Sequence, residues 1–558
     1  MPPRPSLAAI ITAARAGSLD FAWRMFAAGG YAVRHGDPAA LAVEGRLLKD
    51  RALRAPPEVR LAALAAAVDA YAAADSLLPQ PYTKINVATL RRLAGDAAGA
   101  RRQAAALLAW MAEREDIPET PYFLAATRAE AHLLLGETAA AQAALAEAVR
   151  HSPDGWADRA TTLRQLGLIL AATGDDAGWL DGFRPPRTLC FAGHLGLAED
   201  DHARVSARID AVLAAESIGF GYGALAAGGD ILVAEALLRA GAELHVLLPV
   251  SRGSFAAQSV APYAPGWRAR FEACLAAAAS VSELTSFADA YEPLTTQLGS
   301  EVTMGAAVLY AAQLETQAVQ LLVIDDGDGP FGAGRHTALQ GERWRRRGLA
   351  QHLIVAPRSA PVLASAARVG REGRGDLELR AMIHVSLAGH AADDGAFAHA
   401  VDDVLAPLGR AAARIAPRPL DVIPCGNGWI ARFADPAAAL AHAQALQAAA
   451  PEPSALRIAG HYGVTHALPA PAMPVGRAID DLQVIAEAAM PGALTVSETF
   501  ATALYIDAAG PPAIERIGEA GEARLFAVID RDLSRSAPPA DGAPRPPAGA
   551  ARGGRSRV

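Results

Sequence analysis

Between residues 187 and 356 one pattern recurs, and it constrains this chain more than any other feature. Short apolar runs alternate with helical stretches. The runs are Arg187-Thr-Leu-Cys-Phe-Ala192, Glu243-Leu-His-Val-Leu-Leu-Pro249, Val319-Gln-Leu-Leu-Val-Ile324 and His352-Leu-Ile-Val-Ala356. Each is too short for a buried helix and has no polar alternation, as expected of a strand covered on both faces. Helical segments such as 231–240 and 303–316 lie between them. Strands that alternate with helices predict an open, mostly parallel α/β sheet of Rossmann type, spanning 185–357.

Within this unit the stretch Gly219-Phe-Gly-Tyr-Gly-Ala-Leu-Ala-Ala-Gly-Gly-Asp230 runs straight into a helix. Glycines let a backbone approach a ligand, and a helix N-terminus offers free N–H groups and the positive end of a dipole. Read as a loop, it lies beside Gly193-His194 at the carboxyl edge of the sheet, where open α/β folds bind ligands. The candidate ligand residues are therefore Gly193, His194, Gly228, Gly229, Asp230 and Glu235. Asp230 either caps the helix or meets a ribose hydroxyl, and Glu235 is expected on the same side. The loop does not spell GxGxxG in register, so glycines that only permit tight turns are the competing reading. On the ligand reading, Gly229→Val blocks binding and leaves the fold intact.

The first 184 residues read as paired helices. Gly95, Gly136 and Gly174 each precede an acidic residue and break a helical pattern, at spacings of 41 and 38 residues. That suits an all-α solenoid of helical hairpins looser than the tetratricopeptide unit of about 34 residues. A hydrophobic content of 52% with only 6% aromatics is mostly Ala, Leu and Val, which favours helices. At 558 residues the chain exceeds one core, so several domains are expected. Residues 358–378 read as a polar, Gly-rich linker, 379–530 as an α+β unit, and 531–558 as a Pro/Ala/Gly/Arg tail unable to build a core.

Charge and composition also exclude functions. The net charge is −8, which leaves no basic footprint for nucleic acid. Lys49 and Lys84 are the only lysines, and no Gly-Lys-Ser/Thr triplet exists, so there is no P-loop. Cys190, Cys274 and Cys425 show no CxxC spacing, and a reducing, cytoplasmic setting is expected. No apolar window is long enough to span a membrane.

Three resemblances refine the reading. Pro81-Tyr-Thr-Lys-Ile-Asn-Val-Ala-Thr-Leu90 with Gly95-Asp96, and Ala125-Ala-Thr-Arg-Ala-Glu-Ala131, resemble the tetratricopeptide-type TRAFs-binding domain. That implies a protein partner on the helical repeats, with Tyr82 and Asn86 structural. Ala192-Gly-His194, Ala226-Ala-Gly-Gly-Asp-Ile-Leu-Val-Ala-Glu235 and 241–249 resemble SLOG-like Rossmannoid domains, which implies a nucleotide or nucleotide-derived ligand. Cys425-Gly-Asn-Gly-Trp-Ile-Ala-Arg-Phe433, Arg457-Ile-Ala-Gly-His-Tyr-Gly-Val464 and Val475-Gly-Arg-Ala-Ile-Asp480 with Met490-Pro-Gly-Ala-Leu-Thr-Val-Ser497 resemble class III adenylate/guanylate cyclases, which implies a ferredoxin-like α+β fold.

The cyclase chemistry does not carry over. By the resemblance, the two metal-binding aspartates fall on Ser386 and Asn427, the purine-reading lysine on Ile423, and the transition-state Asn and Arg on Asp480 and Val484. Neutral side chains do not anchor the two divalent ions that cyclisation needs, and each lost electrostatic contact costs about 2.7–4 kcal/mol of barrier. No catalytic or metal-binding residue is therefore assigned, and a nucleotide-type ligand is the one small molecule expected. The expectation is a cytoplasmic signalling adaptor that senses a nucleotide through its Rossmannoid unit and uses an inactive cyclase-like unit for homodimerisation or regulation. Two alternatives stay open: a divergent cyclase or nucleotide-processing enzyme, and a ligand-free protein-interaction scaffold.

Overall fold

The computed structural model describes residues 4–33, 36–287, 293–325, 335–358, 376–388, 394–469, 472–507 and 510–529. Most of the expected linker (359–375) and the whole tail (531–558) lie outside the described residues. The chain opens with helices Leu7–Arg15 (α1), Leu19–Ala28 (α2), Pro38–Arg54 (α3), Pro57–Leu77 (α4), Pro81–Leu93 (α5), Ala97–Ala112 (α6), Pro121–Leu135 (α7), Thr138–His151 (α8) and Trp156–Thr173 (α9). Gly95, Gly136 and Gly174 stop helices in the left-handed region, at φ +89, +84 and +76. After Gly95, Asp96 caps the next helix by accepting from the Gly99 amide at 2.7 Å. The third break leads instead into a 3₁₀ turn, Gly178–Phe183. Both lysines are tied down in this region. Lys84 pairs with Asp75 at 2.7 Å, and Lys49 donates to Asn86 Oδ1 at 3.1 Å. The Asn86 amide in turn donates to the Tyr82 carbonyl of its own helix, and the Tyr82 and Tyr71 hydroxyls share a bond.

A parallel sheet of six strands follows. Its elements are Arg187–Gly193 (β1), His202–Ala215 (α10), Ile218–Gly223 (β2), Gly229–Arg239 (α11), Glu243–Leu248 (β3), Arg252–Ser259 (α12), Pro265–Ala277 (α13) and Ser280–Glu283 (β4), then Pro293–Gln313 (α14), Ala318–Ile324 (β5), Arg335–Arg346 (α15) and Ala350–Val355 (β6). The strand order is β4-β3-β2-β1-β5-β6.

The glycine-rich stretch 219–223, which reads as loop in the sequence, forms the interior strand β2. The reason is steric. A β-carbon at Gly219 would meet Pro186 at 2.5 Å, one at Gly221 would meet Leu237 at 2.2 Å, and one at Gly223 would meet Phe191 at 2.3 Å. The glycines alternate so that one face of β2 lies flush against its neighbours, α11 among them, while Phe220 and Tyr222 fill the other face. The expected ligand loop shrinks to 224–228.

The second sheet is mixed. It comprises Leu377–Leu387 (β7), Asp394–Ala400 (α16), Ala406–Ala412 (α17), Asp421–Cys425 (β8), Gly428–Phe433 (β9), Pro436–Ala449 (α18), Leu456–Pro469 (β10) and Ala472–Val475 (β11), then Arg477–Ala488 (α19), Leu494–Ser497 (β12), Glu498–Asp507 (α20), Ala513–Ala520 (β13) and Ala523–Ile529 (β14). Its path is β13-β14-β12-β10-β7-β9-β8, with β11 paired to the far end of β10. β7 begins at Leu377, inside the segment read as linker. Arg358, at that segment's other end, bridges back to Leu197 in the parallel-sheet unit.

The two sheets share a core through α14. Val302, Ala306 and Leu309 of this helix pack in one cluster with Cys190, Phe220 and Tyr222 of the parallel sheet and with Ile383, Val385 and Phe500 of the mixed-sheet unit. At Gly305 the approach to α20 is so close that a β-carbon would lie 1.8 Å from the Thr502 carbonyl oxygen. The helical unit holds the other end of α14. Arg164 of α9 donates to the Gln313 carbonyl at 2.7 Å and pairs with Glu315 at 2.8 Å, and Arg184 donates to the Glu315 carbonyl at 2.6 Å. Two guanidinium groups thus sit at the negative end of the helix dipole. Among the described residues no helix is long and apolar enough to cross a membrane.

The contrast between two helical glycines tests this packing. Gly305→Ala should destabilise the full chain by ~3 kcal/mol or more, because backbone cannot yield as a side chain can. Gly167→Ala, where nothing lies within 4 Å, should stabilise it by ~0.5–1 kcal/mol. Urea denaturation of the two variants checks both signs, and a neutral Gly305→Ala would contradict the contact.

Candidate functional site

The strand order reverses at β1, which has β2 on one side and β5 on the other. The crevice outside the carboxyl ends of β1 and β5 is where an open α/β sheet accepts ligands. Gly193 ends β1, His194 follows it, and Gly228, Gly229 and Asp230 start α11 beside it, so the structure brings five of the six expected ligand residues together. Their side chains and close approaches are turned inward.

A β-carbon at Gly193 would lie 2.6 Å from Gly229 Cα, and one at Gly229 would lie 2.8 Å from Gly193 Cα and 2.9 Å from Val323 Cβ. Gly228 has φ +124, and a β-carbon there would lie 2.7 Å from the His194 carbonyl oxygen. These glycines therefore let two backbones of the same chain approach each other. The expectation that Gly229→Val leaves the fold intact fails for that reason.

Asp230 is 5% exposed, and its two carboxylate oxygens accept the amides of Gly193 at 2.5 Å and Ala226 at 3.1 Å. It is neither the N-cap nor turned to solvent; it clamps the end of β1 to the turn before α11. Burial pushes its carboxyl up to about 7, against the opposing pull of the two amide bonds. His194 is also spent on the fold. It is 3% exposed, with Nε2 at 2.7 Å from the Ala356 carbonyl at the end of β6, and burial holds its imidazole below the ordinary value. The segment that follows crosses the start of α11: Leu195 bridges to Gly228, and the Gly196 amide donates to the Ala227 carbonyl at 2.9 Å.

Glu235 does not join the group. Five residues past Asp230, it lies about 140° round the helix. There it forms a forked pair with Arg270 of α13, at 2.7 and 2.6 Å. Sequence reasoning missed two charged residues beside the crevice. Asp325 follows β5 and Arg358 follows β6; they are 3.5 Å apart, with side chains 9% and 6% exposed. The signal was available, since Asp325 stands immediately after one predicted strand and Arg358 two residues after another.

On the mixed sheet, Ser386 of β7 lies opposite Gly428 of β9 and Arg457 of β10. Asn427 is the exposed turn residue just before Gly428, so Ser386 and Asn427 are neighbours. Ile423 lies on the outermost strand β8, opposite Ile430. Asp480 and Val484, four residues apart, share the outer side of α19, whose Leu482 and Ile485 pack on Met382 of β7. By alternation Ser386 and His384 share the face of Met382. Two buried histidines occur in this sheet, and neither was anticipated. Burial holds His384 low and takes His461 down to about 4, and the Nδ1 atom of each makes no hydrogen bond among the described residues. Among the described residues no group of three or more His, Cys, Asp or Glu side chains could hold a metal ion.

No family model and no curated protein matches this chain. Among solved structures, an adenylate/guanylate cyclase/hydrolase from Silicibacter pomeroyi is similar at 17% identity and a TM-score of 0.22, over 28% of this chain and 98% of that one. A likeness of that extent carries no weight for function.

The Asp230 clamp has a pH signature. Its folded value of about 7 lies above the ordinary 3.8, so its contribution is full below pH 4 and is lost as pH rises through 7. Asn at 230 keeps one acceptor and does not titrate. Wild type should therefore exceed Asp230→Asn in stability at pH 4–5, and the margin should shrink by up to about 1.4 kcal/mol per pH unit towards pH 7. Denaturation at several pH values checks this; a margin that is constant or grows with pH would contradict it.

Proposed function

We propose that this chain is a signalling adaptor in which a TRAFs-binding-like helical repeat unit presents a protein-binding surface. On this reading the SLOG-like parallel sheet and the ferredoxin-like cyclase-homology sheet act as a joined structural body. The observation that carries the reading is the internal use of the expected ligand group: Gly193, Gly228 and Gly229 meet backbone, Asp230 accepts two amides, and His194 bonds the Ala356 carbonyl. Exposed apolar side chains on the helical unit support the partner surface. Val59 and Leu61 are 54% and 59% exposed, and Leu77 and Leu78 at the end of α4, Tyr82 at the start of α5 and Phe123 at the start of α7 are exposed as well. The degenerate cyclase positions Ser386, Asn427, Ile423, Asp480 and Val484 give the mixed sheet no nucleotide chemistry. Exposed Leu420, Leu468 and Met473 instead favour a role in pairing two chains in the cytoplasm.

A second reading is favoured by one observation. The reversal point at β1 and β5 lies beside Asp325 and Arg358, a pair 3.5 Å apart whose burial carries a desolvation cost. On this reading Arg358 meets the phosphate of a nucleotide-type ligand, and the ligand stabilises the unit.

One assay separates the readings. The purified chain is heated with nucleotides and cyclic dinucleotides, with and without Mg²⁺ or Mn²⁺, and ATP and GTP incubations are analysed for cyclic product. The adaptor reading predicts shifts under about 1 °C, whereas a ligand at a hundred times its Kd would add about 2.7 kcal/mol. It also predicts no cyclic AMP or cyclic GMP. A saturable rise in Tm that is lost in Arg358→Gln would replace it with the sensor reading. Mn²⁺-dependent product lost in Asn427→Ala would restore the cyclase reading.

A further inference from the structure

Glu301 is the most deeply buried carboxylate that joins the two sheets. It lies on α14 and is 2% exposed. Three donors converge on it: Tyr462 Oη at 2.6 Å, Arg343 Nη1 at 2.7 Å and Gln297 Nε2 at 2.9 Å. They come from different bodies. Gln297 is one turn earlier on α14, Arg343 is on α15 of the parallel-sheet unit, and Tyr462 is at the centre of β10 in the mixed sheet. A buried carboxylate that loses one of its donors keeps its desolvation cost, so the three groups are held as a set.

Each donor is itself anchored. α15 lies between β5 and β6 in the chain, and it is seated by Trp344, which is fully buried and donates to the Ala350 carbonyl at 2.9 Å. Its Gln340 bonds Ser300, the residue before Glu301. On the far side, the Tyr462 carbonyl accepts from Thr499 Oγ1 at 2.7 Å, in the first turn of α20. α20 is the helix that α14 meets at Gly305. A continuous chain of contacts therefore runs from α15 through Arg343, Glu301 and Tyr462 to the start of α20.

We propose that Arg343, Glu301 and Tyr462 form a conformational relay that couples the seating of α15 on the parallel sheet to the packing of β10 and α20 in the mixed sheet. A shift of α15 that withdraws the guanidinium leaves Glu301 with Tyr462 and Gln297 alone, and the buried charge must then seek solvent or another donor. Either response displaces Tyr462 and loosens the start of α20. The parallel sheet can thus signal to the mixed sheet through α14 and α15. The relay is a property of the chain itself and does not depend on whether the crevice takes a ligand.

Hydrogen exchange on the full chain tests it in the absence of any added molecule. In Arg343→Gln the amides of 460–464 and of the first turn of α20 should exchange at least tenfold faster, while those of α3–α6 and the β13–β14 hairpin stay unchanged. Tyr462→Phe should speed exchange in 340–346, the reverse direction of the same coupling. Arg343→Lys, which keeps the charge, should retain protection in 460–464. The relay is wrong if Arg343→Gln affects α15 alone, if all amides accelerate by a common factor, or if Lys fares no better than Gln.

Discussion

Burial of α14 between two sheets is the constraint on which the rest of the structure depends. A helix with one apolar stripe covers one surface; α14 covers two, with Val302, Ala306 and Leu309 in a cluster that reaches both sheets. Such a helix cannot present large side chains on every side, and Gly305 is where the approach to α20 becomes closest. Its carboxyl end is then fixed by Arg164 and Arg184 from the helical unit and its neighbourhood, which orients those helices against the sheets. Polar contacts add direction to this packing. Tyr310 near the end of α14 donates to Glu498, which Arg524 also meets, while Tyr310 stacks on Tyr222 of β2. The helical unit reaches the mixed sheet as well, where Arg15 pairs with Glu515 at 3.5 Å and Ser18 bonds the Pro491 carbonyl.

Much of the architecture was legible in the sequence, because continuous apolar runs announce strands buried on both faces. The runs at 187–192, 243–249, 319–324 and 352–356 all became strands of one parallel sheet. β2 escaped because its signal was glycine. In Gly219-Phe-Gly-Tyr-Gly223 the apolar face is built by the absence of side chains, which a hydrophobic pattern cannot register. β4, with only four residues and partial burial, gave too little periodicity to read. α14 was read from residue 303, yet it starts at Pro293, since its first turns are rich in Thr and Gln and owe their helical state to packing. Arg358 and Leu377, at the two ends of the segment read as linker, are held by tertiary contacts, a bridge to Leu197 and a pairing with His466.

The crevice teaches a different lesson about glycine and acid at a helix start. Sequence chemistry placed Gly193, His194, Gly228, Gly229 and Asp230 in one place, and they are in one place. What it could not specify is whether the close approach serves a ligand or the chain. Here a β-carbon at any of the three glycines would strike backbone, and the carboxylate is saturated by two amides of its own fold. Glu235 lies five residues past Asp230, a spacing that a helix places far round from the starting face. On the mixed sheet, register places Ser386 opposite Gly428, beside the turn that carries Asn427.

If α14 is shared, the two sheets cannot open independently. Native-state hydrogen exchange measured against denaturant in the full chain addresses this most directly, because it reports the opening free energy of each sheet separately. The account predicts that the slowest amides of β1 and β5 and those of β7 and β10 converge on one common opening transition with the same denaturant dependence. A mixed sheet that opens at lower free energy and with a smaller denaturant slope, while the parallel sheet stays protected, would contradict it.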